Sequence, residues 1–214
     1  MNAANPHVSA EKRGVLGLLT LRRPAALNAL DLGMVEALAA ALDTWAADDG
    51  VTVVAIRGEG ERAFCAGGDI RAWVAQGREA ALAFLRAEYR LNYRIATYPK
   101  PFVALMHGVT MGGGAGLSVH ARYRLADPGL VFAMPEAAIG FVPDVGSTCR
   151  LTAKNRMPTM ATQKFGALAP ISESRLAMRT NKPPGRQAAS DPTTMAVAMA
   201  NDMANAASVS VVGK

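Results

Sequence analysis

Cysteine is nearly absent: the 214 residues hold two, Cys65 and Cys149, with no CxxC spacing. That excludes a disulfide framework and gives no sign of a zinc ribbon or a dithiol redox centre. No uninterrupted apolar run reaches the roughly 18 residues a membrane-crossing helix needs. The opening MNAANPHVSAEKRG lacks the charged, apolar and small-residue order of a secretory signal. The sequence therefore predicts a soluble, cytoplasmic protein. Also missing are GxxxxGK[ST] and a GxGxxG frame followed by a strand-end acid, the usual loops for nucleotide phosphates.

What is present suits one globular domain, or one domain with an appendage: 50% of residues are hydrophobic and 19% charged. A formal charge of +6 points at first to nucleic acid or an anionic membrane. Its distribution argues against both partners. Up to Gly146 the chain carries 14 Lys/Arg against 14 Asp/Glu, and beyond it 9 against 3. The excess belongs to the last third, and the preceding part is neutral. Arg57, Arg62 and Arg71 are either local positive charge for a polyanionic ligand or solvated surface.

Secondary-structure signals alternate. VLGLLTL, from Val15 to Leu21, predicts a buried strand, and RRPAALNALD a turn ending in Asp31, a residue suited to capping a helix. Val35, Leu38, Ala39, Leu42 and Trp45 recur at helical spacing across Leu32 to Trp45. Val51 to Ile56, VTVVAI, is a β-branched run of the kind buried on both faces in a parallel sheet. After the loop GEGERAFCAGGDIRA, a long helix is predicted between Arg78 and Thr97, stopping before Pro99. PFVALMHG then predicts a strand, MGGGAG a turn, GLSVHAR a helix start, and RYRLAD and LVFAMP short strands. Such alternation indicates an α/β fold with mostly parallel strands. Residues 10–146 form the expected core. Residues 147–214, with one aromatic and six of the eleven methionines, are expected to be a divergent, basic and loosely ordered tail.

Two glycine segments carry the chemical signal: AFCAGGDI, Ala63 to Ile70, and HGVTMGGGAG, from His107. Glycine lets backbone N–H groups approach a ligand, and N–H groups at a helix start are unpaired. Each segment alone is equally well explained by tight turns. Together, in this order, they resemble the paired oxyanion-hole loops of the crotonase (enoyl-CoA hydratase/isomerase) superfamily, over roughly Gly14 to Gly146. The resemblance implies a ββα spiral core, here incomplete at the C-terminus, with Gly68 and Gly113 each giving one N–H to a thioester carbonyl oxygen. It further implies CoA contacts at Ala25 in RPAALNAL and at Ala66, Gly68 and Ile70 in AFCAGGDI.

Carboxylates decide which reaction the resemblance implies, because the fold alone does not. Hydratases of the superfamily carry one glutamate at the position of Gly116 and another at that of Glu136, and here the first is missing. FAMPEAAIGFVPDVG, Phe132 to Gly146, resembles instead the 3-hydroxyisobutyryl-CoA hydrolases. That likeness implies Glu136 as base or nucleophile, Asp144 as the partner orienting water or the 3-hydroxyl, and Glu88 as a pocket residue. Gly113, Glu136, Asp144 and Glu88 are thus the expected substrate contacts. The implied reaction is hydrolysis of a short branched 3-hydroxyacyl-CoA, as in valine breakdown. An enoyl-CoA hydratase or isomerase, or an inactive truncated CoA-binding relative, are the alternatives. No cofactor is expected beyond the CoA of the substrate, no metal site, and a homo-oligomer is an open expectation. His107 and His120 lack a third ligand and are expected to be structural. Cys65 has no basic neighbour to activate it, and Trp45 and Trp73 are expected to pack.

Overall fold

The computed structural model describes residues 5–147. The tail expected over 147–214, Ser147 apart, and Cys149 lie outside them. Among the described residues eight strands and four α-helices alternate: β1 (Val8–Arg13), β2 (Leu16–Leu21), α1 (Leu32–Ala46), β3 (Val53–Gly58), β4 (Ala63–Cys65), α2 (Ile70–Gln76), α3 (Arg78–Ala96), β5 (Phe102–Met106), β6 (Val109–Met111), α4 (Gly113–Val119), β7 (Tyr123–Ala126) and β8 (Val131–Ala133).

Their pairing is a spiral. β2, β3, β5 and β7 lie side by side and parallel, with β1 antiparallel to β2 at one edge. β4, β6 and β8 form a second parallel sheet. Each turn therefore places one strand in the first sheet, the next in the second, and then a helix or helical turn. The earliest turn has no strand in the second sheet, only an isolated parallel bridge from Leu30 to Gly68, beyond the end of β4. The predicted α/β class and ββα spiral are both present.

Local chemistry explains the main elements. All six residues of β2 are buried, as a central parallel strand requires. Its Gly17 makes room for Trp45, since a Cβ there would sit 2.5 Å from the indole ring. Helix α1 starts where Asp31 Oδ1 accepts the Met34 N–H at 2.8 Å. It buries Met34, Val35, Leu38, Leu42 and Trp45. Helix α3 buries Phe84, Glu88, Leu91, Asn92 and Ile95, so a carboxyl and an amide share its core-facing side. β1, β4, β6 and α2 are not legible in the sequence pattern, and α4 starts within the glycine turn. Among the described residues no helix is long and apolar enough to cross a membrane.

Candidate active site

The two glycine segments meet back to back. A Cβ on Gly67 would lie 3.1 Å from the Met111 carbonyl oxygen and 3.3 Å from the Gly113 nitrogen. Only glycine allows that approach, and Gly67 and Gly112 both have positive φ, 103° and 50°. A third loop is stitched to the first. Leu30 donates to the Gly67 carbonyl at 2.7 Å, Asp69 donates to the Leu30 carbonyl at 2.8 Å, and Ala66 donates to that of Leu27 at 3.0 Å. This bridge uses the groups on either side of Gly68 and leaves the Gly68 N–H without an acceptor among the described residues. Gly113 is the first residue of α4, where an N–H has no intrahelical partner. The indole of Trp73 and the ring of Phe84, 4.9 Å apart by centroid, wall one side of Gly68.

Asn28 holds the loops in register. It is fully buried with a left-handed backbone, φ 54°. Its Oδ1 accepts the Arg23 N–H at 2.9 Å, while Nδ2 donates to the carbonyls of Glu59 at 3.0 Å and Ala63 at 2.9 Å. Arg23 pairs in turn with Asp69 at 2.7 Å. Ala25 lies exposed on the 3-10 turn Pro24–Ala26 just before this stitching, Ala66 lies within it, and Ile70, 44% exposed, opens α2 after it. Arg62 and Arg71 are solvated, and Arg57 donates to Thr20 Oγ1 at 3.2 Å.

Three carboxyls gather beside the glycine turn. Glu88 Oε1 abuts the position a Cβ would take on Gly113, and Glu136 Oε1 lies 3.0 Å from the one on Gly112. Glu88 is 3% exposed and Glu136 8%, while Asp144 is part-buried. Glu88 Oε1 and Glu136 Oε2 are buried without a hydrogen-bond partner among the described residues. Burial, reinforced by the charges of Asp144 and Glu136, pushes the Glu88 carboxyl up to about 8. Glu136 is also raised, first by burial; a backbone hydrogen bond opposes the shift and the Asp144 charge adds to it. Among the described residues no ion pair reaches any of the three.

Asp144 is fixed by its surroundings. Tyr89 donates its hydroxyl to Asp144 Oδ2 at 2.5 Å, and Ser147 donates both N–H and Oγ to the Asp144 carbonyl at 2.9 and 2.7 Å. The next residue, Val145, has φ 49°, a costly conformation for a β-branched side chain, and its carbonyl pairs with His120 Nε2 at 2.6 Å. His120 thus braces the loop, and His107 Nε2 likewise pairs with the Gly60 carbonyl at 2.7 Å. Cys65 is fully buried, with its thiol pushed up to about 12 by burial, the opposite of an activated nucleophile. Asn28, Tyr89 and Asn92 carry no sequence signal of a site. Their roles depend on neighbours far away in the chain.

Gly116 is closed to a side chain. A Cβ there would meet Val145 Cβ at 2.9 Å and the Asn92 amide oxygen and nitrogen at 3.0 Å each. The pocket thus has no room for an acid at that point.

Residues 16–168 match the enoyl-CoA hydratase/isomerase family. Over 146 residues, 67% of this chain and 38% of the relative, the chain is 51% identical to the mitochondrial 3-hydroxyisobutyryl-CoA hydrolase of Danio rerio. Among solved structures, a carnitinyl-CoA dehydratase from Mycobacterium thermoresistibile matches with TM-score 0.67 and 45% identity, over 72% of this chain and 45% of that one. An enoyl-CoA hydratase from Rhodobacter sphaeroides 2.4.1 matches with TM-score 0.66 and 49% identity, over 72% and 46%. The chain spans less than half the length of each of these three.

Proposed function

The chain belongs to the enoyl-CoA hydratase/isomerase family, and from that premise we propose that it hydrolyses a short branched 3-hydroxyacyl-CoA, of the 3-hydroxyisobutyryl type, to the free acid and CoA. One observation carries this: among the described residues the N–H groups of Gly68 and Gly113 are undonated, and the Glu136 carboxyl, its Oε2 buried without a hydrogen-bond partner, abuts Gly112 in the same glycine turn. The thioester oxygen sits between the two donors, which are preorganised for the charge that develops as the carbonyl is attacked.

Glu136 removes a proton from water as the water oxygen bonds to the thioester carbon. The tetrahedral adduct then collapses, the C–S bond breaks, and the departing CoA sulfur takes the proton. Alternatively the Glu136 carboxylate attacks first and the C–S bond breaks to release CoA thiolate; water then cleaves the resulting anhydride to the free acid and the Glu136 carboxylate, and one of its protons goes to the thiolate. A carboxyl raised by burial suits either role better than a solvated one. Asp144, held by Tyr89, orients the water or the substrate hydroxyl. Glu88 keeps its proton at neutral pH and presents an O–H next to Gly113. The CoA portion lies along Ala25, Ala66 and Ile70.

The assay is thiol release from 3-hydroxyisobutyryl-CoA, and Glu136→Gln is expected to slow it by about 10²-fold or more. Release undiminished in that variant refutes the assignment. The names of the two solved neighbours favour a second reading, addition or removal of water at a carbon–carbon double bond. Loss of enoyl absorbance without thiol release identifies it. The filled space at Gly116 speaks against a two-acid version of that chemistry.

A further inference from the structure

Asn92 lies on α3 one turn beyond Glu88 and is only 4% exposed, yet among the described residues neither its Nδ2 nor its Oδ1 has a hydrogen-bond partner. Buried amides are ordinarily satisfied, so an orphan of this kind needs an explanation. Its amide hydrogen-bonds no loop, helix end or neighbouring side chain among the described residues. Its direction is informative: both amide atoms lie 3.0 Å from the point where Gly116 would carry a Cβ. Gly116 stands one turn along α4 from Gly113, as Asn92 stands one turn along α3 from Glu88. Glu88 itself abuts Gly113. The amide is therefore displaced by one helical turn, about 5 Å, from the Gly113 donor and the Glu88 carboxyl.

That displacement matches an acyl chain. A substituent on C3 of an acyl group stands about 3–4 Å from the carbonyl carbon, given ordinary bond lengths near 1.5 Å. Hydrogen-bond lengths at either end complete the span. We propose that Asn92 is a specificity-determining residue that binds a hydroxyl on C3 of the acyl group. A hydroxyl gives and accepts a proton, and an amide offers one group of each kind. An acyl group with hydrogen at C3 leaves the buried amide unsatisfied and is disfavoured for that reason. The assignment rests on the thioester reading of the site, since it measures position from the carbonyl.

The test uses the full 214-residue chain and two CoA analogues in which CH2 replaces the thioester sulfur, one with and one without a hydroxyl on C3. Titration calorimetry on the wild type is expected to give at least tenfold tighter binding of the hydroxyl analogue. In Asn92→Leu, which keeps the side-chain size, the ratio of the two affinities is expected to collapse toward one. Asn92→Ala serves if the leucine variant does not fold, as judged by circular dichroism. A wild type that binds both analogues equally, or a variant that keeps the preference, overturns the proposal. Hydrolysis is scored separately on the thioesters. No thiol release from either one refutes the proposed reaction, while the affinity ratio still decides the role of Asn92.

Discussion

Replacing Glu88 by glutamine should flatten the pH dependence of stability. The side chain is 3% exposed and its carboxyl is raised from 4.5 to about 8, with burial as the main cause. The unfolded chain releases this proton near the ordinary carboxyl value, whereas the folded protein holds it to about 8. Between those limits the native state binds more protons, so unfolding free energy falls as pH rises, by up to about 1.4 kcal/mol per unit. From about pH 5 to about pH 8 the loss approaches roughly 4 kcal/mol, a large share of the 5–15 kcal/mol typical of a domain. Stability from this group is complete below the unfolded value and lost as pH passes through the folded one. Urea unfolding followed by circular dichroism, at several pH values across that window, measures the slope. Glu88→Gln should remove the part due to this carboxyl, leaving a slope of the same sign from Glu136, whose carboxyl is also raised. Parallel curves for wild type and variant refute the burial argument.

Gly113→Ala should be damaging twice over, because the new Cβ lands on Glu88 Oε1 and displaces the donor. Thiol release is expected to fall by about 10²-fold or more, and stability by roughly 1–3 kcal/mol. A variant with the wild-type rate removes Gly113 from the oxyanion role. Tyr89→Phe deletes the hydroxyl that holds Asp144. Worth on the order of 1 kcal/mol, its loss should weaken substrate use roughly fivefold in kcat/KM with the melting temperature little changed. Unaltered kinetics would separate Asp144 placement from Tyr89.

The sequence pattern was informative where burial is periodic or continuous. LGLLTL of β2, VVAI of β3 and the apolar face of α1 each declare themselves through one local rule. β1 does not, because VSAEKR is an edge strand with four of its six residues exposed. β4 and β6 are three residues each and lie inside loop-like sequence, and α2 buries no residue that would reveal a period. At the candidate site, Gly68, Gly113, Glu88, Glu136 and Asp144 are singled out by family resemblance and not by any local pattern. The structure brings the three carboxyls to the glycine turn. Tyr89 meets Asp144 across 55 positions and Asn28 meets Ala63 across 35, and no local pattern encodes partners that distant. Asn92 escaped because an asparagine amid a helical apolar stripe looks like an interruption until its buried amide is seen to lack hydrogen-bond partners among the described residues.

The hydrogen bonds between the stretch Leu27 to Leu30 and Ala66, Gly67 and Asp69 make two loops one mechanical body. For the reaction proposed above, the surface that grips the nucleotide end of the substrate and the amide that polarises its carbonyl cannot move independently. Binding energy gathered far from the reacting carbon is thereby delivered to it as alignment, so a thioester of a simple thiol would forfeit turnover as well as affinity. The handle of the substrate, inert in the chemistry, becomes part of the catalyst's setting.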